Sequence, residues 1–218
     1  MKFLTLVFLF LVHIVSENLD LDALLELKKG FKEEPLRGNY LSSWNINNVE
    51  SNNGGCPQSW YGIDCEGGHM TSIVLRNLGL VGSFNFLALV GIGMIQNLSI
   101  SNNQFTGIIS PNIGSIGSLR FLDLSANSFH GSIPNSLIKM ENLALLNLSS
   151  NSFRGTVPVE VGELEQLRYL DLRCNRFYGN IAGVLMQLQK VVYVDLSSNL
   201  FSGYLDLGLA DASFVSTV

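Results

Sequence analysis

The sequence contains few of the residues that enzyme chemistry requires. Only 14% of its 218 residues are charged, and it has three histidines and three cysteines. His13 lies in an N-terminal apolar run, and neither His69 nor His130 belongs to a nucleophile-base-orienter pattern. Cysteine, histidine and carboxylate residues nowhere show the spacing of a metal site. The sequence therefore predicts no enzyme, no cofactor and no metal.

Basic charge and long apolar runs are also scarce. The net charge of −5 argues against nucleic acid as the main partner. One apolar run, residues 3–15, follows Lys2 and is too short for a membrane span of about 20 residues. Ser16-Glu17 offers a cleavage point, so we expect residues 1–16 to be a secretory signal peptide, with a buried first helix as the alternative. No later segment is expected to cross a membrane.

One pattern occurs five times: apolar-x-apolar, two further residues, then Asn-x-Phe-x-Gly. Its asparagines recur every 24 residues, at Asn103, Asn127, Asn151, Asn175 and Asn199. Its phenylalanines keep the same step, at Phe105, Phe129, Phe153, Phe177 and Phe201. An earlier repeat with leucine at both positions is visible at a step of 25. A fixed period in this range predicts a stacked solenoid.

Each part of the repeat has a physical interpretation. The alternating apolar residues predict short strands that stack about 4.8 Å apart into a parallel sheet. The Asn amide can satisfy backbone groups in a buried turn, and the Phe can stack on its counterpart in the next repeat. Apolar pairs such as Leu137 and Met140 predict helical or 3₁₀ segments on the other side. We expect extended backbone at the Ile-Pro and Val-Pro pairs. The expectation is weaker in the two repeats in which Ser110 or Ala182 replaces the proline.

The region before the repeats differs in composition. Leucines from Leu21 onward predict an amphipathic helix. Cys56 and Cys65 lie nine residues apart in a Gly-, Asn- and Ser-rich segment and could close a small loop in an oxidising compartment. We predict that these two cysteines form a disulfide and that Cys174 stays free.

These motifs carry a family resemblance. The period Leu-x-x-Leu-x-Leu-Ser-x-Asn-x-Phe-x-Gly-x-Ile-Pro resembles the plant-specific leucine-rich repeat. The segments 23–28, Ser43-Trp44 and 56–65 are similar to the N-terminal cap of that family. Together they resemble the extracellular part of plant leucine-rich repeat receptor-like kinases, and the segment from Cys56 is similar to the branch with inactive kinase domains. The resemblance implies a right-handed α/β solenoid, with a parallel sheet on its concave face and a helical cap.

The resemblance implies the following domain boundaries. We expect the cap over residues 17–69, about six repeats of 24–25 residues over 70–207, and an uncapped tail over 208–218 that is neither repeat nor closing cap. A kinase domain and a membrane helix, which members of the family carry, are absent from the sequence. We therefore expect a truncated extracellular domain.

Alternation predicts which strand residues point outward and form a recognition surface. The candidate partner-binding residues are Phe121, Asp123, Leu145, Tyr169, Asp171, Tyr193 and Asp195. Aromatic residues at this repeat position can equally stack for stability alone. Two sequons, at Asn97 and Asn147, predict N-glycosylation on the same face, where a glycan would mask part of the surface.

The sequence leaves three hypotheses for function. The first is a non-catalytic recognition module of a cell-surface receptor-like kinase, which binds a peptide or protein ligand or a co-receptor. The second is a free-standing secreted repeat protein, either an enzyme inhibitor or a decoy, and the third is a non-functional gene fragment. The outward sheet face covers only about 380 Å². Since a standard interface needs about 800 Å² per partner, this size favours a fragment of a larger receptor.

Overall fold

The structure is a computed structural model that describes residues 19–33, 38–48, 56–203 and 215–216. The predicted signal peptide and most of the predicted tail lie outside these residues. The helices are α1 (Leu19–Lys29) and α2 (Ala182–Gln187). The 3₁₀ turns are Tyr40–Ser43, Ile46–Asn48, Phe86–Leu89, Pro111–Ser115, Asn135–Lys139 and Val159–Glu163. These segments connect two sheets that run the length of the repeats.

The first sheet contains the alternating segments of the repeats. Its strands are β2 (Ile63–Glu66), β3 (His69–Val74), β5 (Asn97–Ser99), β7 (Phe121–Asp123), β9 (Leu145–Asn147), β11 (Tyr169–Asp171), β13 (Tyr193–Asp195) and β15 (Val215–Ser216). They lie in the order β2-β3-β5-β7-β9-β11-β13-β15, parallel from β3 onward. Equivalent residues pair across repeats, so Phe121 faces Leu145 and Tyr169 faces Tyr193. The parallel sheet predicted from the sequence is confirmed, and β15 adds a strand inside the segment expected to be an uncapped tail.

The second sheet was not predicted. Its strands are β1 (Phe31–Lys32), β4 (Val81–Ser83), β6 (Gln104–Gly107), β8 (Ser128–Gly131), β10 (Ser152–Gly155), β12 (Arg176–Asn180) and β14 (Leu200–Ser202). The Asn-x-Phe-x-Gly segment, for which the sequence predicted only a turn, therefore contains a strand. Residues around each Phe pair with those of the neighbouring repeat in an offset register, in which Phe153 lies opposite Gly131 and Gly155 opposite Phe177. The stacking that brings the phenylalanines together also brings these backbone segments side by side.

The repeated asparagines hold successive repeats together. The Oδ1 atom of Asn127 accepts the Phe105 amide at 3.0 Å, one repeat earlier. Its Nδ2 atom donates to the carbonyls of Ile100, Leu124 and Ser125 at 3.0–3.1 Å. Asn151, Asn175 and Asn199 make the same bonds in their own repeats. Each amide thus satisfies backbone groups of two repeats, as the sequence predicted.

The phenylalanines form a continuous buried stack. Rings of consecutive repeats lie 6.1–6.4 Å apart and nearly parallel, at Phe105, Phe129, Phe153, Phe177 and Phe201. Phe31, directly after α1, packs edge-on against Phe105 at 5.3 Å. The cap and the repeats therefore share one hydrophobic core, in which Leu21, Leu24 and Leu27 of α1 are also buried.

The cap is fixed by contacts that join distant parts of the sequence. Trp44 stacks on Trp60 at 5.5 Å and donates through Nε1 to the Tyr61 carbonyl. A carboxylate oxygen of Asp20 in α1 accepts the amide of Met70 at 2.7 Å, which ties the helix to β3. Cys56 and Cys65 form a disulfide, as predicted, and Cys174 is free and exposed.

The turn between strand and asparagine has an unusual backbone. The residue before each asparagine lies in the left-handed region, with φ between 51° and 56° from Asn102 to Ser198. Side chains other than asparagine and glycine adopt this conformation at a cost, and one of these positions is Ala126. The two repeats without the proline of the Ile-Pro and Val-Pro pairs differ. Ser110 is extended, whereas Ile181, the residue before Ala182, has a right-handed helical conformation and directly precedes α2.

Asn127→Ala tests the asparagine bonds. The variant removes one acceptor and three donor contacts and leaves buried backbone groups without partners. We expect a loss of about 2–4 kcal/mol in the free energy of unfolding, measured by urea denaturation. Asn135→Ala, at an exposed position without such bonds, is the control and should change stability by less than about 0.5 kcal/mol. Equal effects of the two substitutions would contradict this role.

Candidate functional site

The outward face of the first sheet carries one variable residue per repeat in each of two columns. The first column, which we call the apolar row, consists of Phe121, Leu145, Tyr169 and Tyr193. The second column contains Asp123, Asn147, Asp171 and Asp195, two residues further along each strand. The structure therefore brings together all the side chains that the sequence suggested for partner binding.

Exposure differs among these residues. Phe121 is 42% exposed, and Leu145, Tyr169 and Tyr193 are half-buried. Asp171 is fully buried at 0% and Asp195 is 7% exposed, so the prediction that these carboxylates present themselves to a partner is wrong. The reason is that neighbouring tyrosine and arginine side chains cover them. Asp123 remains partly accessible.

The two tyrosines and two aspartates form one cluster with Arg173. The rings of Tyr169 and Tyr193 stack at 4.3 Å with an angle of 6°. Their hydroxyls donate to Asp171 and Asp195 in long hydrogen bonds of 3.5 and 3.4 Å. The Arg173 guanidinium lies 3.6 Å from a carboxylate oxygen of each aspartate. The tyrosines are therefore held in place before any partner binds.

Burial and charge give the groups in this cluster different pKa values. Burial, followed by the charge of Asp171, raises the pKa of Tyr169 to about 12, so its hydroxyl stays a donor at physiological pH. Burial also raises the pKa of Asp171, and the Arg173 amide and guanidinium only partly offset this. For Asp195, burial alone would raise the pKa, but hydrogen bonds from Ser197 and the charge of Arg173 outweigh it and lower the pKa.

The pKa values of the two aspartates differ because a different residue lies two positions after each of them in the sequence. Ser197 donates both its hydroxyl and its amide to Asp195, at 2.6 and 3.0 Å. At the equivalent place Arg173 donates only its amide to Asp171, at 3.1 Å. Asp171 therefore lacks one hydrogen-bond donor that its neighbour has. A charge without that donor is more costly to bury.

A second cluster lies at the other end of the row. The hydroxyl of buried Ser99 donates to Asp123 at 3.1 Å, and Arg76 donates to Ser99. A guanidinium nitrogen of Arg76 is 3.8 Å from the Asp123 carboxylate. Sequence reasoning missed Arg76 and Arg173 as members of the site. Their spacing gave a signal, because both occupy the same repeat position, directly after the second strand leucine.

The predicted glycosylation residues also lie on this face. Asn97 and Asn147 are half-buried. The Nδ2 atom of Asn97 donates to the Ser72 hydroxyl at 3.2 Å, and Asn147 accepts from the Ser149 hydroxyl at 2.7 Å. Asn147 lies beside Leu145, so a glycan there would cover the middle of the apolar row.

A shallow groove of about 490 Å³ borders the apolar row on the side where the strands begin. It is lined by amide and guanidinium groups, including Gln96, Asn142, Gln166, Arg120 and Arg168. Arg168 donates to the carbonyls of Glu165 and Leu167. The groove is polar and open, which suits contact with a partner's backbone better than enclosure of a small molecule.

The described residues show no cluster of three or more histidine, cysteine or carboxylate groups that could hold a metal ion. Over the same ranges, none of the helices combines the length and apolarity needed to cross a bilayer.

Asp171→Asn tests the cost of the buried charge. The native-state pKa of Asp171 lies above the ordinary carboxyl value of about 3.9, so the folded protein binds this proton more tightly than the unfolded chain. Ionised Asp171 therefore costs stability above its native pKa, and this cost disappears as the pH falls below the unfolded value. We expect the variant to unfold at a higher temperature than wild type at pH 7 and at the same temperature near about pH 3.

Asp195→Asn is the matched control, for which we expect the opposite change in stability at neutral pH. Its lowered native pKa means that ionised Asp195 stabilises the fold above the unfolded pKa, and that this stability is lost as the pH falls through the native value. We expect this variant to be less stable than wild type at pH 7, with the difference shrinking in acid. A loss of stability for Asp171→Asn at neutral pH would refute the assignment.

Comparison with known proteins agrees with the architecture. Residues 17–66 match the leucine rich repeat N-terminal domain family, and residues 94–116, 118–140, 142–164 and 166–188 match the leucine rich repeat family. The LRR receptor-like serine/threonine-protein kinase GHR1 of Arabidopsis thaliana is 43% identical over 96 residues, which are 44% of this chain and 9% of that protein. A probable inactive receptor kinase of the same plant is 39% identical over 119 residues, or 51% and 11%. The chain thus spans about a tenth of these relatives.

Solved structures extend the similarity over most of the chain. A chain from the BIR3–SERK2 complex of Arabidopsis thaliana has a TM-score of 0.71 at 28% identity, covering 84% of this chain and 95% of that one. The PEPR1–AtPEP1 structure gives a TM-score of 0.78 at 27% identity, covering 91% of this chain and 27% of that one. The chain therefore belongs to the leucine-rich repeat family and is similar to the N-terminal extracellular portion of plant leucine-rich repeat receptor-like kinases.

Proposed function

We propose that this chain is the recognition part of the extracellular region of a receptor-like kinase, and that it binds a peptide or protein partner without catalysis. The apolar row carries this proposal. Four apolar or aromatic side chains follow one another on adjacent strands, about 4.8 Å apart, and so form a line about 14 Å long. Exposed aromatic side chains of this kind supply much of the binding energy of protein interfaces.

The rigidity of the tyrosine pair supports recognition as well as stability. The stack and the hydroxyl bonds to Asp171 and Asp195 fix both rings, so the tyrosines lose less side-chain entropy when a partner binds than they would if the rings were free. The ring edges nevertheless stay accessible, since both tyrosines are only half-buried. A preformed surface of this kind favours a partner that lies across the strands.

Two solved relatives support a proteinaceous partner. One of the similar structures contains PEPR1 with AtPEP1, and the other is the BIR3–SERK2 complex. By analogy, the partner of this chain is a peptide ligand, a co-receptor or both. The chain acts on the outer side of the plasma membrane, which it reaches through the secretory pathway with residues 1–16 as signal peptide and with glycans at Asn97 and Asn147.

The glycan proposal has a simple test. Expression with the native N-terminus in a plant secretory system should yield protein that lacks residues 1–16. Treatment with an N-glycosidase should then lower its mass and convert Asn97 and Asn147 to aspartate. A secreted protein with an unchanged mass and two intact asparagines would contradict modification at these sites.

Alanine substitutions in the apolar row test partner binding. The wild-type chain is immobilised and screened by biolayer interferometry against secreted plant peptides and purified receptor extracellular domains. For each binder we expect Phe121→Ala or Tyr193→Ala to weaken affinity about tenfold or more, because each removes a large part of the contact area. Met186→Ala, which truncates an exposed side chain on α2, should leave affinity within about twofold.

Two outcomes would overturn the proposal. The first is a binder whose affinity is unaffected by either substitution in the row. The second is a loss of binding that parallels a loss of thermal stability, which would show that the row only supports the fold.

A further inference from the structure

The two sheets of this protein carry opposite charge. The described strands of the first sheet contain five carboxylates and neither lysine nor arginine; the carboxylates are Asp64, Glu66, Asp123, Asp171 and Asp195. The described strands of the second sheet contain no carboxylate at all, and their basic residues are Lys32, His130, Arg154 and Arg176. In a chain with a net charge of −5, a sheet face with only basic groups is an unusual concentration of positive charge.

The two arginines lie side by side. Arg154 on β10 is the direct register partner of Arg176 on β12, so their backbones are about 4.8 Å apart. Both side chains are exposed, because each flanks a buried phenylalanine of the stack. Among the described residues neither guanidinium has a hydrogen bond or an ion pair. Exposed His130 lies on the neighbouring strand β8.

Apolar side chains continue the same surface. Tyr178, two residues after Arg176, is 52% exposed, and its register partner Leu200 on β14 is 66% exposed. Together the five residues His130, Arg154, Arg176, Tyr178 and Leu200 occupy four consecutive strands, and we call them the basic-apolar patch. The patch is about 14 Å wide across the strands.

The patch has no evident role in stability. Like charges on directly paired strand residues repel each other, and no carboxylate on these strands offsets that repulsion. An exposed leucine beside an exposed tyrosine likewise gains little from the fold. A partner that neutralises the arginines and covers the apolar pair would benefit from both features at once.

We propose that the basic-apolar patch is a second interaction surface that binds an acidic protein segment with interspersed apolar residues. Arginine forks match side-chain carboxylates in geometry and charge. The leucine favours a protein segment over a polysaccharide or nucleic acid, since those polymers offer it no apolar side chain. The surface lies on the other sheet from the apolar row, so the inference goes beyond the proposed function and does not depend on it.

Fluorescence anisotropy with defined probes tests the patch. The full chain is titrated with fluorescein-labelled peptides of the sequences (Glu-Glu-Leu)₄ and (Gln-Gln-Leu)₄ at low ionic strength. We expect binding of the acidic peptide only. The double variant Arg154→Gln/Arg176→Gln should weaken that binding about tenfold or more while leaving the thermal unfolding midpoint unchanged or slightly higher.

Lys139→Gln/Lys190→Gln is the matched control. It also removes two positive charges from exposed positions, but outside the second sheet, so it should change affinity for the acidic peptide by no more than about twofold if the contact is local. Equal loss in the two double variants would show non-specific attraction and overturn the proposal. Loss in the control alone would place the acidic segment beside these lysines and would also overturn it.

Leu200→Ser separates the apolar contribution from the electrostatic one. It should weaken binding of (Glu-Glu-Leu)₄ several-fold and leave binding of a Glu₁₂ peptide unchanged. If oligogalacturonate competes more strongly than either peptide and Leu200→Ser has no effect, the patch recognises an acidic polysaccharide and the protein-segment proposal is wrong.

Discussion

The side-chain amide of the repeated asparagine is the interaction on which the rest of this molecule depends. In each repeat it accepts one backbone amide from the preceding repeat and donates to carbonyls on both sides of the junction. These bonds fix the distance and the rotation between repeats. Once they are fixed, the phenylalanine stack and both sheets follow, because the strands of successive repeats then lie side by side in a constant register. A small amide thus sets the register of the 134 residues from β3 to β14.

That regularity determines where specificity can reside. The repeated Asn, Phe and inward strand residues support the fold in nearly the same way from repeat to repeat, so they cannot distinguish partners. The outward strand positions are free to vary, and the stacking converts them into columns on the surface. On one sheet these columns collect carboxylates and aromatic rings, and on the other they collect arginines. A solenoid can therefore carry acidic residues on one sheet and basic residues on the other, because the position of a residue within its repeat decides which sheet it joins.

The sequence predicted the solenoid, the first sheet, the asparagine bonds and the phenylalanine stack, since each follows from a fixed period and a residue type. It did not predict the second sheet, because Asn-x-Phe-x-Gly has the polar and glycine content of a turn; only stacking makes it a strand. Nor did it predict the burial of Asp171 and Asp195. Alternation tells which way a side chain leaves the strand, but the covering groups, Tyr169, Tyr193 and Arg173, come from other columns.

The contrast between Asp171 and Asp195 shows how single residues tune such a surface. Both aspartates occupy the same place in successive repeats, and both are covered by a tyrosine. The serine after Asp195 supplies two donors, whereas the arginine after Asp171 supplies one and presents its guanidinium to both carboxylates. Arg173 therefore lacks the side-chain hydrogen bond that Ser197 makes to its own aspartate, and its guanidinium contacts the aspartates of two repeats instead. The exchange leaves Asp171 with a costly charge but fixes the tyrosine pair, so this repeat gives up some stability for a rigid aromatic surface.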